Sequence, residues 1–166
     1  MFKNFNISTF KKMKPPGDNT FDTMQELKEL KSIPINKKFV KDNDNIEEAF
    51  KKVAEKNKIK DYDTSIAAKL IKTSAPIILE LKKHFNRPRP KVVAKKMNID
   101  MKDIEMDSMK IAKVLSDKYP KAKTAFAKKG KDISYSRRVA HAHYKSDSKM
   151  GEKLGDKMYN YIKNKV

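Results

Sequence analysis

Thr64-Ser65-Ile66-Ala67-Ala68-Lys69-Leu70-Ile71-Lys72-Thr73-Ser74-Ala75-Pro76-Ile77-Ile78-Leu79-Glu80-Leu81 is the stretch whose reading decides the fold. Ile66, Leu70, Ile77, Ile78 and Leu81 recur at helical spacing among Ala67, Ala68 and Ala75, which predicts a long central helix. Asp63 or Thr64 can cap its start. Pro76 inside it predicts a kink or a split, because proline lacks an amide donor and crowds the carbonyl four residues back.

Upstream, Ile46, Ala49, Phe50 and Val53 give a second apolar face, opened by Asp44 and Glu47 at capping-box spacing. Thr23 and Glu26 repeat that spacing before a short helix with Met24, Leu27 and Leu30 on one face. Ser32-Ile33-Pro34-Ile35-Asn36 ends it. Lys14-Pro15-Pro16-Gly17-Asp18-Asn19 is turn chemistry. Residues 1–20 are therefore expected to form an extended N-terminal arm, and residues 21–166 the helical domain.

Downstream, Lys82 falls in the last turns of the central helix. Pro88 and Pro90 force an extended exit, and residues 91–99 read as a short helix. Ile104, Ser108, Ile111, Leu115 and Tyr119 predict a nearly continuous helical stripe beginning at Met101 and punctuated by Pro120. Gly130 is expected to separate a Lys-rich segment from the helix after it. Ser146 or Asp147 can cap the last helix, where Met150, Leu154, Met158 and Ile162 share one face as core positions. No stretch alternates for long at period two. The expected class is all-α, a single-domain helical bundle.

The 166 residues suit one domain with a modest core, since 38% are hydrophobic and the mean hydropathy is −0.82. The chain has no Cys, which excludes a disulfide framework and thiolate metal sites. Its 40 Lys and Arg against 21 Asp and Glu give a net charge of +19. That charge is spread through every segment and favours anionic ligands. No apolar run approaches the roughly 20 residues of a membrane span. Met1-Phe2-Lys3-Asn4-Phe5-Asn6 lacks the apolar core of a secretory signal. The expectation is a soluble cytoplasmic protein; its oligomeric state is not encoded in any pattern found.

Two stretches carry candidate chemistry. In Ser136-Arg137-Arg138-Val139-Ala140-His141-Ala142-His143-Tyr144-Lys145-Ser146-Asp147, Arg137 can bind an oxyanion and His143 can act as nucleophile or base. Asp147, four residues on, can hold His143 in one tautomer. The same stretch also reads as a basic surface helix with a solvated histidine. In Lys82-Lys83-His84-Phe85-Asn86-Arg87-Pro88-Arg89-Pro90, Lys82 stands seven residues before Arg89-Pro90. Taken singly, Lys82 and Arg89 also read as solvated charges.

Together the two stretches resemble the type 2 phosphatidic acid phosphatase and vanadium haloperoxidase superfamily, which includes bacterial acid phosphatases. Lys82, Arg89 and Pro90 match its K-x6-R-P motif. Ser136, Arg137, His143 and Asp147 match its S-R-x5-H-x3-D motif. The resemblance covers roughly residues 14–163 and implies an all-α fold of that type. It implies phosphate binding by Lys82, Arg89, Ser136 and Arg137, a transiently phosphorylated His143, and Asp147 in support. It implies no metal or cofactor for a phosphatase; the haloperoxidases hold vanadate in the same pocket. His84 and His141 have no role in the family pattern and are expected at the surface or an interface.

The family's middle motif, P-S-G-H, occurs nowhere in this chain. Asp107-Ser108-Met109-Lys110 runs straight into Ile111-Ala112-Lys113-Val114-Leu115-Ser116-Asp117, as if the intervening loop had been deleted. In the family that loop supplies the histidine that protonates the leaving group and part of the phosphate cradle. The expected ligand is a phosphorylated small molecule or a phosphate anion. Three functions are open: a weakened phosphomonoesterase, an inactive phosphate-binding relative, and a basic nucleic-acid-binding protein. Against the last, no recognised nucleic-acid-binding motif is present, and aromatics are not interleaved with the basic residues.

Overall fold

The computed structural model describes residues 1–104 and 112–163, and among them the regular structure is entirely helical. In chain order the helices are α1 (Ser8–Lys11), α2 (Phe21–Lys31), α3 (Lys37–Asp42), α4 (Ile46–Lys56), α5 (Thr64–Phe85) and α6 (Pro90–Lys96). They continue with α7 (Ala112–Lys118), a 3-10 turn at Pro120–Ala122, α8 (Lys123–Val139) and α9 (Lys145–Ile162). The all-α class read from the periodicity is the one observed. No helix among the described residues is long and apolar enough to cross a membrane.

Asp63 caps α5 by accepting the Ser65 N–H at 2.9 Å. Pro76 does not split this helix, which runs unbroken for 22 residues. The buried Ser74 hydroxyl donates to the Leu70 carbonyl at 2.6 Å, so its own polarity is satisfied inside the helix. The main core gathers the apolar faces of α1, α4, α5, α7, α8 and α9 around Phe50, Leu115 and Phe126, each fully buried. Burying side chains of this size contributes about 1.5–3 kcal/mol apiece. A second cluster joins Leu27 and Leu30 of α2 to Val93 and Ala94 of α6 and to Tyr144.

With only four Gly in the chain, helix ends are made by other residues in the left-handed region. α4, α6 and α8 each end in a Schellman motif, with Lys58, Asn98 and His141 at φ 55°. In α8 the His141 N–H bonds the Arg138 carbonyl at 2.9 Å and the Ala142 N–H bonds the Arg137 carbonyl at 3.0 Å. This reversal turns the chain back before His143.

Several expectations are corrected. Residues 1–20 are not an extended arm: Ser8–Lys11 is helical, and Phe2, Ile7 and Phe10 are buried in the main core. The cap of α2 is Thr20, whose hydroxyl accepts the Thr23 N–H, rather than Thr23 itself. The cap of α4 is Asn45 rather than Asp44. Helix α3 answers to no sequence expectation. Met101–Ile104 is not helical, and Ile104 N–H instead bonds the Ala140 carbonyl at 2.9 Å. Ser108 and Ile111 of the expected stripe lie outside the described residues. Gly130 does not interrupt α8; it is buried within it. Tyr144 caps α9, not Ser146 or Asp147.

Candidate anion site

The Pro88-Arg89-Pro90 turn and the α8–α9 reversal both line a cavity of about 1130 Å³. Asn86, at φ 42°, closes the end of α5 and leaves Lys82 in its last turn. Pro90 then starts α6 at its first position, where a missing amide donor costs nothing. These two devices place Lys82, Arg87 and Arg89 along the cavity. Arg137, His143, Ser146 and Asp147 line the same cavity, and Arg87 reaches Ser146 and Asp147 directly at 2.7 and 2.8 Å. Leu70, Ile78, Leu81, Phe85, Val114, Met150, Leu154 and Met158 line the apolar remainder, with Glu152 and Asp156 farther along α9.

Of the residues the sequence singled out, Lys82, Arg89, Arg137, His143 and Asp147 reach this cavity. Ser136 does not. It is fully buried, and its hydroxyl donates to the Ile133 carbonyl at 2.8 Å inside α8. Arg137 is buried and donates to the Asp44 carboxylate at 2.9 Å. This contact draws Asp44 away from the capping role its spacing suggested. Arg89 donates to the Ala142 carbonyl at 3.1 Å, which ties the turn to the α8–α9 reversal. Lys82 and Arg89 are exposed, and neither has a salt-bridge partner among the described residues. Partial burial, helped by the positive charges of Arg89 and Arg137, holds the Lys82 ammonium below its ordinary pKa; the Asp147 carboxylate opposes this.

Asp147 has two fixed partners. One oxygen accepts from Arg87 at 2.8 Å, and the other accepts the Tyr144 N–H at 3.0 Å. Burial pushes its carboxyl above the usual range, and Glu26 adds to that. Arg87 and the Tyr144 N–H pull the other way. Arg87 also reaches Glu26 at 3.1 Å and Ser146 at 2.7 Å, and its guanidinium lies 3.8 Å from the centre of the Tyr144 ring.

Arg87 and Glu26 are the residues the sequence reading missed. Arg87 was hidden by the alternation Arg87-Pro88-Arg89-Pro90, in which the motif spacing selects Arg89. Glu26 was absorbed into a capping box. One signal was present: all the arginines of this Lys-rich chain, at 87, 89, 137 and 138, fall in the two motif stretches. Arginine is the residue suited to forked contacts with carboxylate and phosphate.

The other histidines are placed elsewhere. His84 is exposed, and its ring meets the Lys11 carbonyl at 3.1 Å. His141 is buried rather than superficial, with ring nitrogens 2.7 Å from the Lys102 carbonyl and 2.9 Å from the Ile33 carbonyl. Neither lines the cavity. The junction expected to have lost P-S-G-H, between Lys110 and Ile111, lies outside the described residues. Comparisons with protein-family models, with curated proteins and with solved structures found no match.

Proposed function

We propose that the chain is an acid-phosphatase-like phosphomonoesterase whose cavity takes the phosphate of a small phosphorylated molecule. The observation that carries this reading is the pair of exposed cations Lys82 and Arg89, neither in a salt bridge among the described residues, lining one cavity with Arg137 and His143. Three cations in one concave site suit the charge spread over the equatorial oxygens of a transferring phosphoryl group. In this reading a ring nitrogen of His143 attacks phosphorus, a P–N bond forms, and the P–O bond to the leaving group breaks. Water then cleaves the P–N bond and releases inorganic phosphate. Asp147 stabilises the imidazolium between the two steps.

The missing P-S-G-H motif sets the character of the activity. General acid catalysis is typically worth about 10²–10⁴-fold. Neither His84 nor His141 lines the cavity to replace it. A nitrophenolate can depart unprotonated, whereas a sugar or glycerol alkoxide departs slowly. Release of phosphate from p-nitrophenyl phosphate between pH 4 and 8, set beside glycerol phosphate, tests this. Weak aryl hydrolysis that His143→Ala abolishes is the expected result. Equal aryl and alkyl rates would mean that another group supplies the proton. The absent motif also favours a second reading, a phosphate-binding relative without turnover. Phosphate binding with no hydrolysis of either substrate would select it.

A further inference from the structure

Glu26 belongs to neither motif stretch, yet it reaches from α2 across to the first turn of α9. One of its oxygens accepts the Ser146 N–H at 2.6 Å, and the other accepts the Ser146 hydroxyl at 2.7 Å. It therefore satisfies an open donor of the 18-residue helix from another helix, where a negative charge is favoured. The same carboxylate accepts Arg87 Nη2, while Arg87 Nη1 serves Ser146 and Asp147. The side chains of Arg87 and Glu26 are only 9% and 14% exposed. One nearly buried guanidinium is thus divided between two carboxylates, and only one of these, Asp147, lines the cavity.

We propose that Glu26 and Arg87 are positioning residues of the phosphate site. Arg87 fixes the Asp147 carboxylate beside the cavity, and Glu26, drawing on the same guanidinium, sets how strongly Asp147 is neutralised. The proposal rests on the reading of the cavity as a phosphomonoester site. The division has a chemical use. An Asp147 held by Arg87 alone would have little charge left to stabilise a cationic His143. An Asp147 without Arg87 would repel the incoming phosphate. Among the described residues, the charged or titratable groups that act on Asp147 are Arg87 from the turn, Glu26 from α2, Lys82 from α5 and Tyr144 from the α8–α9 reversal, and His143 lines the same cavity.

The test compares wild type, Glu26→Gln and Arg87→Met by ¹³C NMR titration of the Asp147 carboxyl, alongside the pH profile for p-nitrophenyl phosphate. Glu26→Gln should move the Asp147 midpoint down by about half a pH unit, and Arg87→Met should move it up by about one unit or more. The acid limb of the rate profile should follow in the same two directions, with KM little changed. A merely structural role would lower the folded fraction in both variants without displacing either limb in opposite senses. Should Arg87→Met fail to fold, Arg87→Lys keeps the charge, loses the fork and should move the midpoint up by less. Midpoints that stay put, or that move the same way, overturn the proposal. So does a carboxyl that moves while the rate profile does not. In a protein that binds phosphate without turnover, affinity for inorganic phosphate across pH takes the place of the rate. Absence of both hydrolysis and phosphate binding would count against the phosphate site itself and would remove the positioning role with it. Opposite carboxyl shifts would then show the charge division alone.

Discussion

Replacing Arg87 by Met should destabilise the fold by about 3–5 kcal/mol at neutral pH, the range found when one partner of a buried ion pair is removed. The geometry places the loss within that range. The side chains of Arg87, Glu26 and Asp147 are 9%, 14% and 33% exposed. The substitution removes hydrogen bonds of 2.7, 2.8 and 3.1 Å and leaves two carboxylates facing each other. It also uncovers the face of the Tyr144 ring. With a urea m-value of about 2 kcal/mol per molar, a typical size, the unfolding midpoint should fall by about 1.5–2.5 M.

The loss should depend on pH. The folded Asp147 carboxyl already titrates above its ordinary value because of burial. Such a carboxyl costs no stability below the unfolded value. The cost develops as pH rises and is complete above the folded value. Arg87 opposes the shift, so its removal enlarges the cost where Asp147 is ionised. The difference between variant and wild type should therefore be largest near pH 7.5 and shrink toward pH 4. Urea denaturation at both pH values measures it. Lys11→Met, which breaks the exposed Lys11–Glu80 pair, is the control and should cost less than about 1 kcal/mol. An Arg87→Met loss under 1 kcal/mol, or one equal at both pH values, would refute the reasoning.

Lys82→Met should weaken binding of inorganic phosphate by about tenfold to a hundredfold, the value of one charge-assisted hydrogen bond of about 1.5–3 kcal/mol; calorimetry or ³¹P NMR reads this, and unchanged affinity would place the anion elsewhere. Tyr119→Phe should cost about 1–3 kcal/mol in urea denaturation, because the Tyr119 hydroxyl accepts the Asp63 N–H at 2.8 Å at the cap of α5. Binding to a generic DNA duplex should collapse between about 50 and 200 mM salt, as counterion release dictates for a diffuse basic surface. A tight complex at physiological salt would favour the nucleic-acid reading.

The sequence revealed much of the fold because helical periodicity is local. Leu154, Met158 and Ile162 face the core as their spacing predicts, and so do Ala49 and Phe50. Asp63 caps α5 because its partner is two residues away. Readings failed where a distant group outcompeted a local one. Glu26 and Asp44 have capping spacing, but Arg87 and Arg137 claim their carboxylates across 61 and 93 residues. Gly130 reads as a break, yet α8 continues through it. Of the site candidates, Lys82, Arg89, Arg137, His143 and Asp147 line one cavity. Ser136 departs because its hydroxyl bonds back within its own helix. Arg87 and Glu26 stayed hidden because their role exists only once three segments meet.

That meeting has a kinetic side. Arg87 is 61 residues from Glu26 and 60 from Asp147, and Glu26 is 120 residues from Ser146. Loop-closure entropy grows slowly, by about 0.6 kcal/mol per doubling of length, so the longest closure is little harder than the others. Contacts that need three remote segments already in place are expected to form after the rate-limiting barrier to folding. Stabilisation gained after that barrier does not speed folding; it slows unfolding. The shared guanidinium is then also a latch on the lifetime of the native state. Weakening it with Glu26→Gln should shorten that lifetime, seen as faster unfolding in urea jumps with the refolding rate unchanged.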